Sequence, residues 1–102
     1  MRLNHLLRGI FDTDGCISAR KDEGYKYPHL IITSISEQLR EQIKKILKEQ
    51  NINACIHGKD VRVKGNENFK RWFRLIGCRN PRNLKRYHEW LSSGKIICGR
   101  ID

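Results

Sequence analysis

The sequence is short of acidic residues, of paired cysteines and of long apolar runs, and each shortage excludes a class of protein. Only 11 of the 102 residues are Asp or Glu, against 21 Lys and Arg, which gives a formal charge of +10. An excess of this size favours a polyanionic partner, with nucleic acid as the first candidate. The alternative is a basic surface that only aids solubility.

Long apolar segments are also absent from the sequence. No run approaches the ~18 apolar residues of a membrane helix, and the N-terminus is too polar for a signal peptide. We therefore expect an intracellular protein, cytoplasmic or organellar, that is neither secreted nor bound to a membrane. An apolar content of 38% is enough for one domain, residues 1–102, with a single core.

The four cysteines, at positions 16, 55, 78 and 98, lie far apart in the chain. No two of them form the closely spaced pair that a zinc finger or zinc ribbon requires, so a structural zinc site is not expected. The spacing fits free thiols in a reducing compartment, whereas two disulfides would need an oxidising one.

Helical and strand periodicity alternate along the chain. Apolar spacing predicts a first helix over residues 3–13, followed by a hairpin over 16–21 and 25–34. Ser36 is a typical helix cap, and its helix runs to about residue 51, before a second hairpin over 52–57 and 61–64. Two further helices follow, one ending at Gly77 and one from Asn80-Pro81 to Gly94, with apolar spacing at Leu84, Tyr87, His88 and Leu91. Residues 95–102 are a tail without assigned structure.

This order, α-β-β-α-β-β-α-α, predicts an α+β fold with a four-stranded antiparallel curved sheet and helices on one face. The other face would be open, and basic side chains at its outward positions would make it a surface for DNA. The residues expected to contact DNA are Arg20, Lys21, Lys26, His29, Thr33, Lys59 and Arg62.

The segment from Leu6 to Gly15 contains the most informative pattern. An apolar helical run ends in Asp12 and Asp14, where the helix dipole disfavours negative charge. A hard divalent cation with oxygen ligands would neutralise these acids. A calcium loop starting at Asp12 is excluded, because its sixth position is Ile17, where glycine is required. Gly9 and Thr13, small residues four apart, favour the close approach of another helix.

Residues 7–15, Leu-Arg-Gly-Ile-Phe-Asp-Thr-Asp-Gly, resemble the motif of the LAGLIDADG homing endonucleases, particularly those of inteins and archaeal introns. The family core, αββαββα, has the order of elements read above, so the resemblance covers nearly the whole chain. It implies a hydrolase of the intron-homing type, a site-specific endonuclease that cuts double-stranded DNA with Mg²⁺ or Mn²⁺. The alternative on the same fold is a non-cleaving DNA- or RNA-binding protein of the maturase or transcription-regulator type.

The resemblance also implies roles for individual residues. Asp14 would be the catalytic metal ligand, the backbone carbonyl of Thr13 a further ligand, and Asp12 a structural acid. Lys64, where the fourth strand ends, corresponds to a basic catalytic residue, with Lys59 and Lys85 as alternatives. The candidates for positioning the attacking water are Thr33, Ser34 and Ser36.

The chain has one such motif, and the family's active site needs two. The resemblance therefore implies a homodimer, or a pairing with a second LAGLIDADG domain. The residues expected at the interface between the two motif helices are Leu6, Gly9, Ile10 and Thr13.

Overall fold

The computed structural model describes residues 3–96, and within them the predicted order of elements is confirmed. The elements are α1 (Leu3–Asp14), β1 (Gly15–Ala19), β2 (Pro28–Thr33), α2 (Glu37–Glu49), β3 (Ala54–His57), β4 (Asp60–Lys64), α3 (Asn66–Leu75) and α4 (Pro81–Ser93). Cys98 and most of the predicted tail lie outside the described residues. In residues 3–96, no helix is long and apolar enough to cross a membrane.

The four strands form one antiparallel sheet in the order β1-β2-β4-β3, which confirms the predicted fold class. Buried apolar residues recur at alternate positions of β1, β2 and β4, among them Ile17, Leu30 and Val63, which lie side by side across these three strands. Because side chains alternate along a strand, all these residues lie on one face, and the helices cover it. No element of residues 3–96 covers the opposite face.

The core lies between this covered face and the helices. Leu7 and Phe11 of α1 and Trp72 of α3 are fully buried, and the rings of Phe11 and Trp72 are 5.3 Å apart, edge to face. Aromatic pairs of this geometry contribute about 0.5–1.5 kcal/mol beyond their buried area. The α1 helix is thus fixed to α3 by its inward side.

The structure determines which side of α4 faces the core. Of the residues at helical spacing, Tyr87 packs against the core, whereas His88 and Leu91 are exposed. Trp90 is buried and packs edge to face against Phe69, with ring centroids 5.1 Å apart. The large ring of Trp90 buries more apolar surface than Leu91 would, which explains why Trp90 faces the core.

Several strand boundaries also differ from the prediction. A short 3₁₀ turn, Lys21–Glu23, ends β1 at Ala19 rather than at residue 21. The second strand begins at Pro28, which occupies its first position, where the missing N–H costs least. Since β2 lies inside the sheet, Pro28 does not mark an edge strand.

The turn from α1 into β1 has no intervening loop, because Asp14 ends the helix and Gly15 begins the strand. Polar side chains at the start of α4 donate hydrogen bonds to backbone carbonyls of this turn. The N-cap Asn80 donates to the carbonyl of Asp12 at 3.0 Å, and Asn83 donates to that of Gly15 at 3.3 Å. Arg86 donates to the carbonyl of Ile17 at 2.6 Å. These contacts also cover β1, an edge strand that would otherwise present free carbonyls.

Candidate active site and DNA-facing surface

The two acids of the motif have different surroundings. Asp12 is half-buried, and its Oδ1 accepts hydrogen bonds from the backbone N–H groups of Arg79, at 2.8 Å, and Asn80, at 3.1 Å. These groups lie just before α4, so the carboxylate joins the end of α1 to the start of α4. The geometry supports the structural role expected for Asp12.

Cys78 lies close to this joint. Burial, with the charge of Asp12 as a second cause, raises the pKa of Cys78 to about 11. Its thiol therefore stays protonated at neutral pH, and it is a poor metal ligand or nucleophile.

Asp14 is exposed, and its carboxylate forms no hydrogen bond or ion pair with any residue between 3 and 96. Thr13 precedes it at the end of α1, and its hydroxyl donates to the carbonyls of Gly9 and Ile10, both at 3.1 Å. The backbone carbonyl of Thr13 belongs to the last turn, where carbonyls have no intrahelical partner. Two oxygens of the type that binds hard cations therefore belong to adjacent, exposed residues.

The outward side of α1 is apolar, although no described element covers it. Leu6 is 55% exposed, and, apart from the backbone of α1 itself and the two adjacent residues, no atom lies within 4 Å of the position that a Cβ on Gly9 would occupy. Residues three and four apart share one side of a helix, so Leu6, Ile10 and Asp14 follow one line, with Gly9 and Thr13 beside it. We call Leu6, Gly9, Ile10 and Thr13 the α1 stripe. The stripe leads directly to the Asp14 carboxylate.

The uncovered sheet face, here called the open face, carries side chains from all four strands. Strand alternation and register place ten residues on it: Cys16, Ser18, His29, Ile31, Thr33, Cys55, His57, Asp60, Arg62 and Lys64. Of the residues predicted to contact DNA, this set includes His29, Thr33 and Arg62. His29 is only 8% exposed and its Nε2 lies 3.3 Å from Glu23 Oε1, so it is the least accessible of the three.

The other predicted DNA contacts lie on loops rather than strands. Lys21 is in the 3₁₀ turn, and Arg20 precedes it with its guanidinium bound to both oxygens of Asp22. Lys26 lies between that turn and β2, and Lys59 lies in the turn between β3 and β4. All four are exposed.

Asp60 is a residue of the open face that the sequence did not single out. Its Oδ1 accepts a 2.7 Å hydrogen bond from the Thr33 hydroxyl, and its Oδ2 lies 3.2 Å from Arg62 Nη2. The hydrogen bond from Thr33 and the contact with Arg62 hold the pKa of Asp60 below its usual 3.8, against the effect of burial. Asp60 thus orients two predicted DNA contacts. Nothing local in the sequence indicates this, because Thr33 and Asp60 are 27 residues apart.

Lys64 ends β4, as predicted, and is exposed. The register, however, pairs Lys64 with His29. Asp14 precedes Gly15, which forms one row across the sheet with Ile32 and Val61. Along β4, three residue steps, ~10 Å, separate Lys64 from that row, and two strand spacings, also ~10 Å, separate β4 from β1. One chain therefore does not bring Lys64 and Asp14 together.

Lys59 is better placed than Lys64. It precedes Asp60, which pairs with Thr33 at the end of the sheet where Asp14 lies, and its carbonyl accepts a hydrogen bond from the Ser34 N–H at 2.9 Å. The other alternative, Lys85, is exposed on α4, in the helical layer.

The three candidates for positioning water are also separated by the structure. Ser36 is the N-cap of α2 and accepts from the Leu39 N–H at 3.1 Å, and the Ser34 hydroxyl accepts from the Ser36 N–H at 3.2 Å. Thr33 alone lies on the open face, in the row next to Asp14.

Comparison with known families agrees with this geometry. The model of the LAGLIDADG-like domain matches residues 3–97, nearly the whole chain. The protein therefore belongs to the LAGLIDADG-like family, whose members resemble homing endonucleases, bind DNA and typically dimerise, and whose nucleases use divalent metals. No curated protein and no solved structure matches the chain.

The different surroundings of the two acids predict opposite effects on stability. Asp12→Ala removes a carboxylate that accepts two backbone hydrogen bonds, and should lower the free energy of unfolding by about 2 kcal/mol. Asp14→Ala removes an unpaired charge from a helix C-terminus, and should raise it by about 0.3–1 kcal/mol. Urea denaturation of the two variants tests this. Equal destabilisation by both would contradict the assigned roles.

Asp60 predicts a stability difference that depends on pH. Because its pKa is lowered by folding, its contribution is complete above the unfolded-state pKa and is lost as pH falls through the lower folded-state pKa. Asp60→Asn should therefore cost about 1 kcal/mol at neutral pH, and the difference from wild type should disappear in acid, as the pH falls below the folded-state pKa.

The matched control is Asp22→Asn, which breaks the exposed pair with Arg20. Exposed pairs contribute about 0–1 kcal/mol, so this variant should show little change in urea denaturation at either pH. A cost for Asp60→Asn that stays constant with pH would contradict the prediction.

Proposed function

We propose that the protein is a site-specific DNA endonuclease whose active site forms between two copies of α1 and requires a divalent metal. The observation that carries the proposal is the unpaired Asp14 carboxylate at the end of the α1 stripe, in which Leu6, Gly9 and Thr13 are exposed and Ile10 is half-buried. The family relationship supports it, since nucleases of the family use paired acids of this motif.

The shape of α1 supports a homodimer. Leu6 is half exposed, and Gly9 leaves open space, so a second helix could approach the backbone closely along the α1 stripe. In a symmetric dimer the same patch meets itself. Because Asp14 follows Ile10 by one helical turn, crossing the stripes would bring the two Asp14 carboxylates near the two-fold axis.

The donor set fits magnesium or manganese only when two chains combine. No cluster of three or more metal-binding side chains exists in residues 3–96. Each chain offers the Asp14 carboxylate and the adjacent Thr13 carbonyl. Mg²⁺ is commonly held by one or two carboxylates together with substrate phosphates and water, so two Asp14 residues and a DNA phosphate would suffice. A bound Mg²⁺ supplies Lewis acidity towards the phosphodiester.

The open faces of the two chains would hold the DNA. The charge of +10 supplies salt-dependent attraction to phosphates. Arg62 and Thr33, oriented by Asp60, are placed to contact base edges, while Lys59 lies at the Asp14 end, where it could stabilise charge on the scissile phosphate. Dimer symmetry implies a palindromic or nearly palindromic target, and intron homing would be the biological setting.

Loss of the Asp14 charge should abolish cleavage without loss of binding. Asp14→Asn should cut supercoiled plasmid carrying a target site at least about 100-fold more slowly in Mg²⁺, because the metal loses its only side-chain ligand in each chain. DNA affinity in a filter-binding assay should stay within about twofold, since a carboxylate does not attract phosphate.

Glu49→Gln is the matched control, because Glu49 is also an exposed carboxylate that ends a helix, α2. It should cleave like wild type. If wild type binds the target in Mg²⁺ or Mn²⁺ but never cuts it, the enzyme proposal fails and the non-cleaving binding protein is the correct function.

The dimer has a separate test at Gly9. Gly9→Leu should leave the single chain folded, because no other part of the described chain lies within 4 Å of the new Cβ beyond α1's own backbone and the adjacent residues. Leucine is also a better helix former than glycine by up to ~1 kcal/mol. The added side chain should nevertheless block the close helix crossing. Light scattering should give about twice 12.1 kDa for wild type and 12.1 kDa for the variant. A dimer of unchanged affinity in Gly9→Leu would show that α1 is not the interface.

A further inference from the structure

A recess of ≈ 590 Å³ lies away from the candidate active site, between the approach to β2, the first turns of α3 and the end of α4. We call it the lysine pocket. Its lining residues are Lys26, Tyr27, Asn66, Lys70, Trp90, Leu91, Ser93, Gly94 and Lys95. Lys26 and Tyr27 precede Pro28, which pairs with Ala19 at the opposite end of β1 from Gly15. The pocket is therefore at the end of the sheet remote from Asp14.

The charge of the pocket has one sign. Three of its lining residues are lysines, and no Asp or Glu among the described residues lines it. Lys26, Lys70 and Lys95 also form no ion pair within residues 3–96. A concave site with several uncompensated ammonium groups attracts an anion with more than one negative charge or a chain of charges.

Aromatic rings provide the second component of the pocket. Tyr27 is 50% exposed, so much of its ring faces solvent. Trp90 is mostly buried and forms the rear wall, fixed by a 3.1 Å hydrogen bond from Nε1 to the Lys26 carbonyl. Lys70 Nζ lies 5.9 Å from the Trp90 ring. An exposed ring beside ammonium groups is the combination by which proteins bind a base and its phosphates together.

One of the lining residues, Asn66, also has an unpaired polar atom. Asn66 Oδ1 is buried without a hydrogen-bond partner among the described residues. Buried polar atoms are normally paired. A rotation of this amide towards the recess would present a donor or an acceptor to the edge of a bound base.

We propose that the lysine pocket binds one nucleotide of a single-stranded nucleic acid, with the base stacked on Tyr27 and the flanking phosphates on Lys26, Lys70 and Lys95. The volume lies within the ~300–1,000 Å³ of pockets that enclose small ligands. A duplex cannot use this site, because its base faces are covered by neighbouring pairs, whereas unpaired bases stack on aromatic side chains. The site is separate from duplex cleavage and does not depend on it.

Trp90 provides a local probe for the test. The chain contains two Trp residues, and Trp72 is fully buried in the core, so its emission serves as a constant background. Titration with a six-nucleotide oligo(dT) should quench tryptophan fluorescence with saturation. A blunt duplex long enough to stay paired at the assay temperature should not quench it. Anisotropy of a fluorescein-labelled oligo(dT) gives the affinity independently.

Paired variants separate the pocket from general charge. The double variant Lys26→Ala/Lys70→Ala should weaken oligo(dT) binding by about tenfold or more, since two phosphate contacts are lost. Lys44→Ala/Lys48→Ala, which removes the same charge from exposed positions on α2, should change it by about twofold or less. Tyr27→Ala should weaken binding by about tenfold and Tyr27→Phe should not, because stacking needs only the ring.

Three results would overturn the proposal: equal loss of affinity in the two double-lysine variants, full affinity in Tyr27→Ala, or equal quenching by duplex and single strand. Asp14→Asn should bind oligo(dT) like wild type. A negative result for the pocket would therefore leave the cleavage assay unaffected, and a failed cleavage assay would leave the pocket result standing.

Discussion

The structure depends on the direct passage from α1 into β1 at Gly15. A Cβ on Gly15 would lie 2.1 Å from Phe11 Cδ1 and 2.7 Å from the Phe11 carbonyl oxygen, so only glycine allows the strand to begin immediately where the helix ends. With no loop between them, the orientation of α1 fixes the start of the sheet. Asp14 projects from this junction at a position that the core itself determines. A site built on such rigid elements keeps its geometry better than one on a loop.

The two acids of the motif show how the same side chain serves two purposes one residue apart. Asp12 lies on the side of α1 that faces α4 and accepts two backbone N–H groups, where the positive end of the α4 dipole favours its charge. Asp14 lies a further 200° around the helix, since each residue turns by about 100°. It therefore reaches the outer side, beyond the α4 donors. The helical geometry alone divides the pair into a structural acid and a free one.

Features that depend on neighbouring residues could be predicted from the sequence, and features that depend on register could not. The Ser36 and Asn80 caps are confirmed, because a cap bonds within its own turn. The link between Thr33, Asp60 and Arg62 was missed, since it joins two strands that are distant in sequence. For the same reason Lys64 was expected near the catalytic acid, although the antiparallel pairing of β2 and β4 carries it to the far end of the sheet. The helical spacing in α4 does not decide which residues face the core, because a helical period defines a stripe, while packing chooses between adjacent stripes.

The surplus of basic residues strengthens the interpretation of Asp14. The chain contains 21 Lys and Arg. A carboxylate whose only role was in the turn from α1 into β1 could therefore readily gain a basic partner, as Asp22 and Asp60 do. Asp14 has none within residues 3–96, and it lies at a helix C-terminus that adds to its electrostatic cost. In the proposed dimer, a second chain and a cation would remove this cost. The α1 stripe ends at this carboxylate, so the surface that would recruit the second chain is the one that would complete the site.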